Sequence, residues 1–575
     1  MNQDLNWFAQ FSKTTELEFL KRRPIAYFCA EFALSDTIPS FAGGLGVLAG
    51  DTVREAADRN IPFVALGLYY YEGYVCKEIN EKGEIIERNI SSKPEDVGLI
   101  PVVDTGKNRI TVELPIADRK VLVQAWKWQK GSVAVYFLDT NLPENDPKDQ
   151  KITNRLYDFD KETRLKQEMV LGIGGVRLLE KLGIHPSIYH MNEGHSAMLV
   201  LDLIRHEMNE RKIGFVDAKN RMSQHVVFTN HTLVSAGEEL YSNDLVSALL
   251  SSYAKEITIP IKDIIELGLV SESDIFSMTM LSLRLASKVN AVSRLHREKA
   301  KGIWKDYPME QVTNGIHIPT WNFLRTHDTI WEDHLENKRK LLSEIKRING
   351  VAFGEQELLL GWARRMVEYK RPFAIFEDIA RFKQIATKTG RPVRVVIAGK
   401  APPGDTKGEE LIRKLQQIIR TELSGIVVSL PFYEMEMAKL LISGCDVWLN
   451  TPIVGFEACG TSGMKAALNG ALPVTTKDGW IDEVELFGIG WILDSDTIHK
   501  NVLDVLESQI IPMYYTRDEQ GISKQWLIHM QNGRELIQNQ FSATRMLRNY
   551  IETMYVKVLE FVQQGEQDDI ASWGR

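Results

Sequence analysis

Leu358-Leu359-Leu360-Gly361-Trp362-Ala363-Arg364-Arg365-Met366-Val367-Glu368-Tyr369-Lys370-Arg371 changes character in one step: six apolar residues, then four cations in eight. A short apolar run of this kind reads as a strand buried on both faces. The cations would then leave its carboxyl end, where open parallel sheets bind ligands. A loop at that place can converge charge on a phosphate, with Arg as a bidentate fork and Lys as a mobile point charge. A solvated basic turn has the same composition, so the cluster alone leaves both readings open.

Similar apolar runs recur on either side. Residues 393–399, 425–430, 446–450 and 471–476 continue the series downstream, and 24–30, 62–68, 188–192, 225–230 and 288–293 form an earlier one. Helical patterns separate them, which predicts parallel sheets wound on both faces. Two such series predict an α/β chain of two Rossmann-like domains facing each other across a cleft. The expected domains are 1–325, with a β-rich excursion over 80–155, and 345–545. A C-terminal helix within 546–575 is expected to cross back to the first domain, and the charged helical stretch 329–349 is placed just ahead of the second.

Composition narrows the classes. The 575 residues are 44% hydrophobic and 25% charged, with a formal net charge of −8, as expected of a globular enzyme-sized chain. No long Lys/Arg block occurs, so no nucleic-acid partner is expected. No run approaches the ~18 apolar residues of a membrane span, and Met1-Asn2-Gln3-Asp4-Leu5 does not open a signal peptide. Cys29, Cys76, Cys445 and Cys459 form no CxxC pair, and reduced thiols in a cytoplasmic protein are expected.

Two glycine-rich stretches carry candidate chemistry. In Phe41-Ala42-Gly43-Gly44-Leu45-Gly46-Val47-Leu48-Ala49-Gly50-Asp51, glycines precede a helical pattern and leave amides open to an anion; a tight turn packed on a sheet is the alternative. In Glu457-Ala458-Cys459-Gly460-Thr461-Ser462-Gly463-Met464-Lys465, small residues open a helix predicted to start near Ser462. Lys465 follows within about a turn of that phosphate nest, where a lysine can hold pyridoxal phosphate covalently. An ordinary surface lysine is the competing reading. Polar clusters at strand ends, Asn192-Glu193-Gly194-His195, Asn230-His231-Thr232 and Thr313-Asn314-Gly315-Ile316-His317, suit sugar hydroxyls. The histidines lack metal-ligand spacing, so no metal is expected.

Taken together and in order, these blocks resemble the α-glucan (glycogen, starch or maltodextrin) phosphorylases of the shorter bacterial and archaeal type. The blocks are Ala30-Glu31-Phe32 with 40–51, then 190–195, 228–232, 313–321, 365–371, 398–404 and 457–470, spread over 24–500. The resemblance implies the GT-B glycosyltransferase architecture and reversible phosphorolysis of α-1,4-glucans to α-glucose 1-phosphate with retention. It implies inorganic phosphate as co-substrate and pyridoxal 5′-phosphate on Lys465 as cofactor. Arg365, Lys370, His231 and the Gly44 backbone take catalytic positions. Arg364, Gly460, Thr461 and Ser462 would meet the cofactor phosphate, and Trp321 and Tyr433 would wall its pocket. Asn314, Glu457, Cys459, Glu193 and His195 fall on the sugar side. Departures from the longer enzymes are Glu434 after Tyr433, Cys459 for serine and Ser462-Gly463 for Gly-Asn. A nucleotide-sugar-dependent glucan synthase of the same fold is the alternative, and a carbohydrate-binding protein without turnover is a third reading. A homo-oligomer is compatible with the resemblance.

Overall fold

The computed structural model describes residues 2–573 apart from 75, 80–84, 89, 90, 234–237, 272, 402–404 and 432. Part of the 80–155 stretch and the end of the 398–404 block therefore lie outside the described residues.

Two large sheets organise the chain. The second is wholly parallel, in the order Val427–Leu430, Val393–Ala398, Leu358–Ala363, Val447–Asn450, Leu472–Thr476, Trp491–Leu493. In chain order this is 3-2-1-4-5-6, the doubly wound Rossmann arrangement. Leu358–Ala363 lies at its centre with every residue buried. Each Leu there contributes about 1.5–3 kcal/mol relative to an exposed position, which is why this run cannot be a surface turn.

In the first sheet, seven parallel strands run Glu310–Gln311, Lys288–Ala291, Val226–Thr229, Ile188–Asn192, Ile25–Phe28, Phe63–Leu68, Val133–Asp139. The order is again wound outward from the first strand. The β-rich excursion is less separate than its sequence suggests. Val133–Asp139 is a parallel strand of the central sheet, and Arg119–Lys130 extends that sheet antiparallel. Alternating burial on a half-covered edge disguised them as an appendage.

The boundaries also differ in detail. Helix Ile330–Asn349 packs on Met435–Gly444 of the second unit, with Ile330, Trp331 and Leu341 in that unit's core. Its amphipathic face needs this cover, so it belongs with the second sheet rather than ahead of it. The chain returns to the first unit at Phe541–Ala543. Ile316 N–H donates to Phe541 O at 2.9 Å, and Ala543 N–H to Ile316 O at 2.7 Å. Tyr550 and Tyr555 are then buried against His190 and Tyr27. A shared cluster containing Ala33, Val292, Ile316, Trp321, Trp448 and Trp480 joins the two units.

Candidate active site

Each sheet has one topological switch point. In the first it lies between Ile25–Phe28 and Ile188–Asn192, and in the second between Leu358–Ala363 and Val447–Asn450. The segments leaving these strands are 29–44, 193–198, 364–371 and 451–461, and residues from all four line one cleft of about 1050 Å³. Two helices, Gly44–Asp58 and Thr461–Leu468, begin at its wall. Their first amides have no partner within the helix and carry partial positive charge. Just ahead of the first helix, the Ala42 and Gly43 N–H groups are already taken by Glu31 Oε2, at 2.7 and 3.2 Å. A Cβ at Gly44 would meet nothing within 4 Å, so its backbone faces open space.

The basic loop does not present its cations alike. Arg364 Nη1 and Lys370 Nζ both donate to Glu457 Oε2 at 2.9 Å, and Arg364 Nη2 reaches Ser462 Oγ at 3.3 Å. Arg365 instead lines the cleft, exposed, with no carboxylate in salt-bridge range among the described residues. Arg371 serves the backbone, donating to Thr451 O, Pro452 O and Ser495 O at 2.6–2.7 Å. Burial alone would raise the Glu457 carboxyl, but Lys370 and Arg364 outweigh it and hold it at about 2. Burial pushes Lys370 down to about 8; Glu457 opposes this, and the two guanidiniums add to it. Both partners move downward because three cations face one carboxylate. The cluster is short of negative charge, as an anion site should be. Asp478 supports it by accepting the Glu457 N–H at 3.0 Å and the Gly479 N–H at 2.8 Å.

Lys465 lies early in the helix Thr461–Leu468, as its sequence position suggested, and is buried rather than on the surface, its Nζ 4.1 Å from the centroid of the Trp321 ring. Trp321 Nε1 donates to Asp51 at 2.9 Å, and Asn469 Nδ2 ties Lys465 O to Trp321 O at 2.8 and 2.7 Å. Burial pushes the amine down to about 8, with Asp51 opposing and Arg54 adding. Gly460, at φ +80°, turns the chain into the helix in a conformation other residues resist. A buried lysine of low basicity, an aromatic wall, open helix amides and a buried Arg364 Nε without a hydrogen-bond partner among the described residues fit an aldehyde-bearing phosphate such as pyridoxal phosphate. Tyr433 is partly buried in the core beside this region, and burial pushes its hydroxyl up to about 12. It is not among the described residues that line the cleft.

On the first-domain side, Glu193 adopts φ +75° at the end of its strand. It accepts from His231 N–H at 3.0 Å and Thr232 Oγ1 at 3.1 Å, and burial lifts it to about 7. His231 Nε2 pairs with Asn192 Oδ1 at 2.7 Å, and burial pushes the ring down to about 3, so it is neutral. His195 is neutral for the same reason, with its Nδ1 buried and unpartnered among the described residues. Asn314 lines the cleft with a buried Oδ1 that has no partner among the described residues. Cys459 lines the same wall, its thiol pushed up by burial.

Thus Gly44, Glu193, His195, His231, Asn314, Arg365, Glu457, Cys459, Gly460 and Thr461 share one cleft, with Arg364, Lys370 and Ser462 behind Glu457. His317, grouped with the sugar-facing clusters in the sequence, does not join them. It is buried between Asp58 at 2.9 Å and Thr320 at 2.7 Å, bracing two helices. Sequence reasoning missed Arg545, whose guanidinium donates to Thr313 O and, at 2.9 Å, to Asn314 O, holding the Asn314 turn from the returning C-terminal helix. It also gave no role to Asp51, whose charge opposes the lowering of the Lys465 amine. Arg545 sits in no local motif, and Asp51 closes the 41–51 glycine stretch without announcing its role, because both act across long sequence separations.

Two Rossmann-like units with their switch points opening on one cleft define the GT-B glycosyltransferase class. The carbohydrate phosphorylase family model matches residues 323–534. The maltodextrin phosphorylase of Thermococcus litoralis is 34% identical over 100% of this chain and 75% of its own length. The glycogen phosphorylase of Aquifex aeolicus is 32% identical over 96% and 88%, and that of Mycobacterium bovis 32% over 95% and 72%. The chain belongs to the carbohydrate phosphorylase family. Among the described residues no helix is long and apolar enough to cross a membrane, and no group of three His, Cys, Asp or Glu could hold a metal.

Proposed function

We propose that this chain catalyses reversible phosphorolysis of an α-1,4-glucan, releasing α-glucose 1-phosphate and a glucan one unit shorter, with pyridoxal phosphate on Lys465. The observation that carries this reading is the charge imbalance: the cations Arg364, Arg365 and Lys370 all act on the one carboxylate of Glu457, which Arg364 and Lys370 pair. A nucleotide-sugar enzyme has no use for a buried lysine of lowered basicity beside a phosphate nest, which disfavours the synthase alternative.

In this reading Arg365 and the Gly44 amide hold the reacting phosphate, and Lys370 exchanges part of its bond to Glu457 for it. Arg364 and the opening amides of Thr461–Leu468 hold the cofactor's phosphate. When bound, that cofactor supplies a second phosphate able to exchange a proton with the first. The glycosidic C1–O bond breaks and the departing glucan oxygen takes the proton from the substrate phosphate. A phosphate oxygen then bonds to C1 on the same face, giving retention. His231, neutral and fixed by Asn192, lies against the reacting sugar, and preorganised dipoles there stabilise positive charge growing at C1. Glu193 and Asn314 take sugar hydroxyls, Asn314 Oδ1 as the acceptor it now lacks a donor for.

The test is direct. Protein reconstituted with pyridoxal phosphate, given maltodextrin and phosphate, should release glucose 1-phosphate. It should not extend glucan from a nucleotide-glucose donor. Borohydride treatment and peptide mapping should place the label on Lys465. Extension from the nucleotide donor without phosphorolysis would overturn the reading.

A further inference from the structure

The cleft is larger than one sugar and two phosphates require. Its volume of about 1050 Å³ lies at the top of the range of roughly 300–1,000 Å³ common for small-molecule sites. Its two ends also differ. The inner wall is polar and buried, with Glu193, Asn314 and Cys459 all less than a tenth exposed. The outer wall carries Phe159, Ile453 and Phe456, which are 54%, 40% and 49% exposed. Large apolar side chains left in water together at a groove mark a place where something docks.

Phe456 is held in place. Its ring stacks on Tyr369 with centroids 5.9 Å apart and planes 29° apart. Its N–H donates to Ile453 O at 3.2 Å, and Ile453 N–H donates to Tyr369 O at 2.8 Å. The turn is closed by Gly455 at φ +92°, where a Cβ would lie 2.9 Å from the Lys299 stem. The basic loop that carries Arg365 therefore also buttresses an exposed aromatic ring. On the first-domain wall Phe159 lies two residues after Tyr157, a non-glycine residue at φ +56° whose hydroxyl bonds Glu31. A side chain fixed before binding loses little conformational entropy on contact, so its apolar face is available at small cost. Pyranose rings present rows of C–H groups on their faces and hydroxyls at their edges. They suit an aromatic plate bordered by polar groups, and Asp158, Lys161 and Glu238 line the cleft as well.

The geometry points to Phe456, backed by Tyr369, as a plate for a glucosyl unit on the leaving-group side of the broken bond, with Phe159 as its counterpart on the first-domain wall. A chain whose terminal sugar occupies the buried polar end must leave through this mouth. Its second or third unit then passes over Phe456, so this residue sets how strongly chain length is rewarded. The inference rests on the proposed phosphorolysis and names which residues select its substrate.

The experiment compares the reconstituted enzyme with Phe456→Ala, Phe456→Trp and Phe487→Ala on maltooligosaccharides from three to seven units. Phe487 is 99% exposed and does not line the cleft. In Phe456→Ala, kcat/KM for the seven-unit chain should fall by about tenfold, the scale of one aromatic stacking contact. The loss should shrink for chains too short to reach the plate, and KM for phosphate should stay within about twofold. Phe456→Trp should restore the length dependence, and Phe487→Ala should match the parent. An equal loss at every chain length, or none, would overturn the inference. Calorimetric binding of maltoheptaose without phosphate separates the two readings. Weaker binding by Phe456→Ala supports the plate even if no glucose 1-phosphate forms. Unchanged binding refutes it even if phosphorolysis is robust.

Discussion

Arg365→Ala tests the division of labour among the cations of the basic loop. Arg364 and Lys370 share the Glu457 carboxylate at 2.9 Å, whereas Arg365 faces the cleft without such a partner among the described residues. Removing Arg365 therefore strands no buried charge, and folding should be little affected. A guanidinium about 4 Å from a unit charge is worth about 4 kcal/mol at an effective dielectric of 20. Catalysis gains only the part that grows as the glycosidic bond breaks. Loss of one preorganised donor typically costs about 2.7–4 kcal/mol, or roughly a hundredfold to a thousandfold in turnover. The assay is glucose 1-phosphate release at saturating glucan and phosphate, set beside cofactor absorbance for each variant. Arg365→Lys should recover little, because one ammonium cannot reproduce a bidentate fork. Cofactor content should match the parent, since Lys465 is untouched. Near-parental turnover would show Arg365 to be a solvated cation. A loss of turnover that tracks loss of cofactor would assign it to the wrong phosphate.

The buried amine of Lys465 should attach pyridoxal phosphate to apoprotein at a rate that climbs with pH and levels off near pH 8, where burial has brought its pKa. Below that value the ammonium cannot attack a carbonyl; a rate still climbing beyond pH 9.5, as for a lysine of ordinary pKa near 10.4, would contradict the burial argument. The second core should depend on Lys338, which is fully buried and donates to Asp446 Oδ2 at 2.5 Å and to Tyr514 Oη at 3.0 Å. Lys338→Met leaves the buried Asp446 carboxylate without its ammonium partner and should cost about 3–5 kcal/mol, read as a marked fall in the melting temperature. Burial would raise Asp446, but Lys338 and His334 hold it below the usual range. Its stabilising contribution is therefore present above the unfolded value of about 3.9 and fades as pH falls through the folded one. The difference in melting temperature between parent and variant should accordingly narrow in acid, and a gap that widens there would refute the assignment.

Much of the fold was legible because its strands are buried on both faces. Leu358–Ala363 and Phe63–Leu68 are continuous apolar runs, and no other placement hides them from water. The motifs at their ends were legible for a related reason. Open backbone amides demand small residues, so Gly43-Gly44 and Gly460-Thr461 could be singled out locally as candidate anion turns. Val133–Asp139 was harder, since alternating burial at its start gives it the look of any surface hairpin although it is paired on both sides.

What the sequence by itself determined, then, is which segments are buried strands, that two wound sheets exist, and which glycine and lysine turns could meet phosphate. Tertiary structure alone decided how the cations divide. Nothing in Arg364-Arg365 says that one guanidinium turns onto Glu457 while its neighbour faces the cleft. It alone buried Lys465 against Trp321, lowered its basicity, brought Arg545 onto the Asn314 turn, and sent His317 to brace a helix. Burial and charge compensation depend on neighbours many residues away in sequence, and a local pattern carries no record of them.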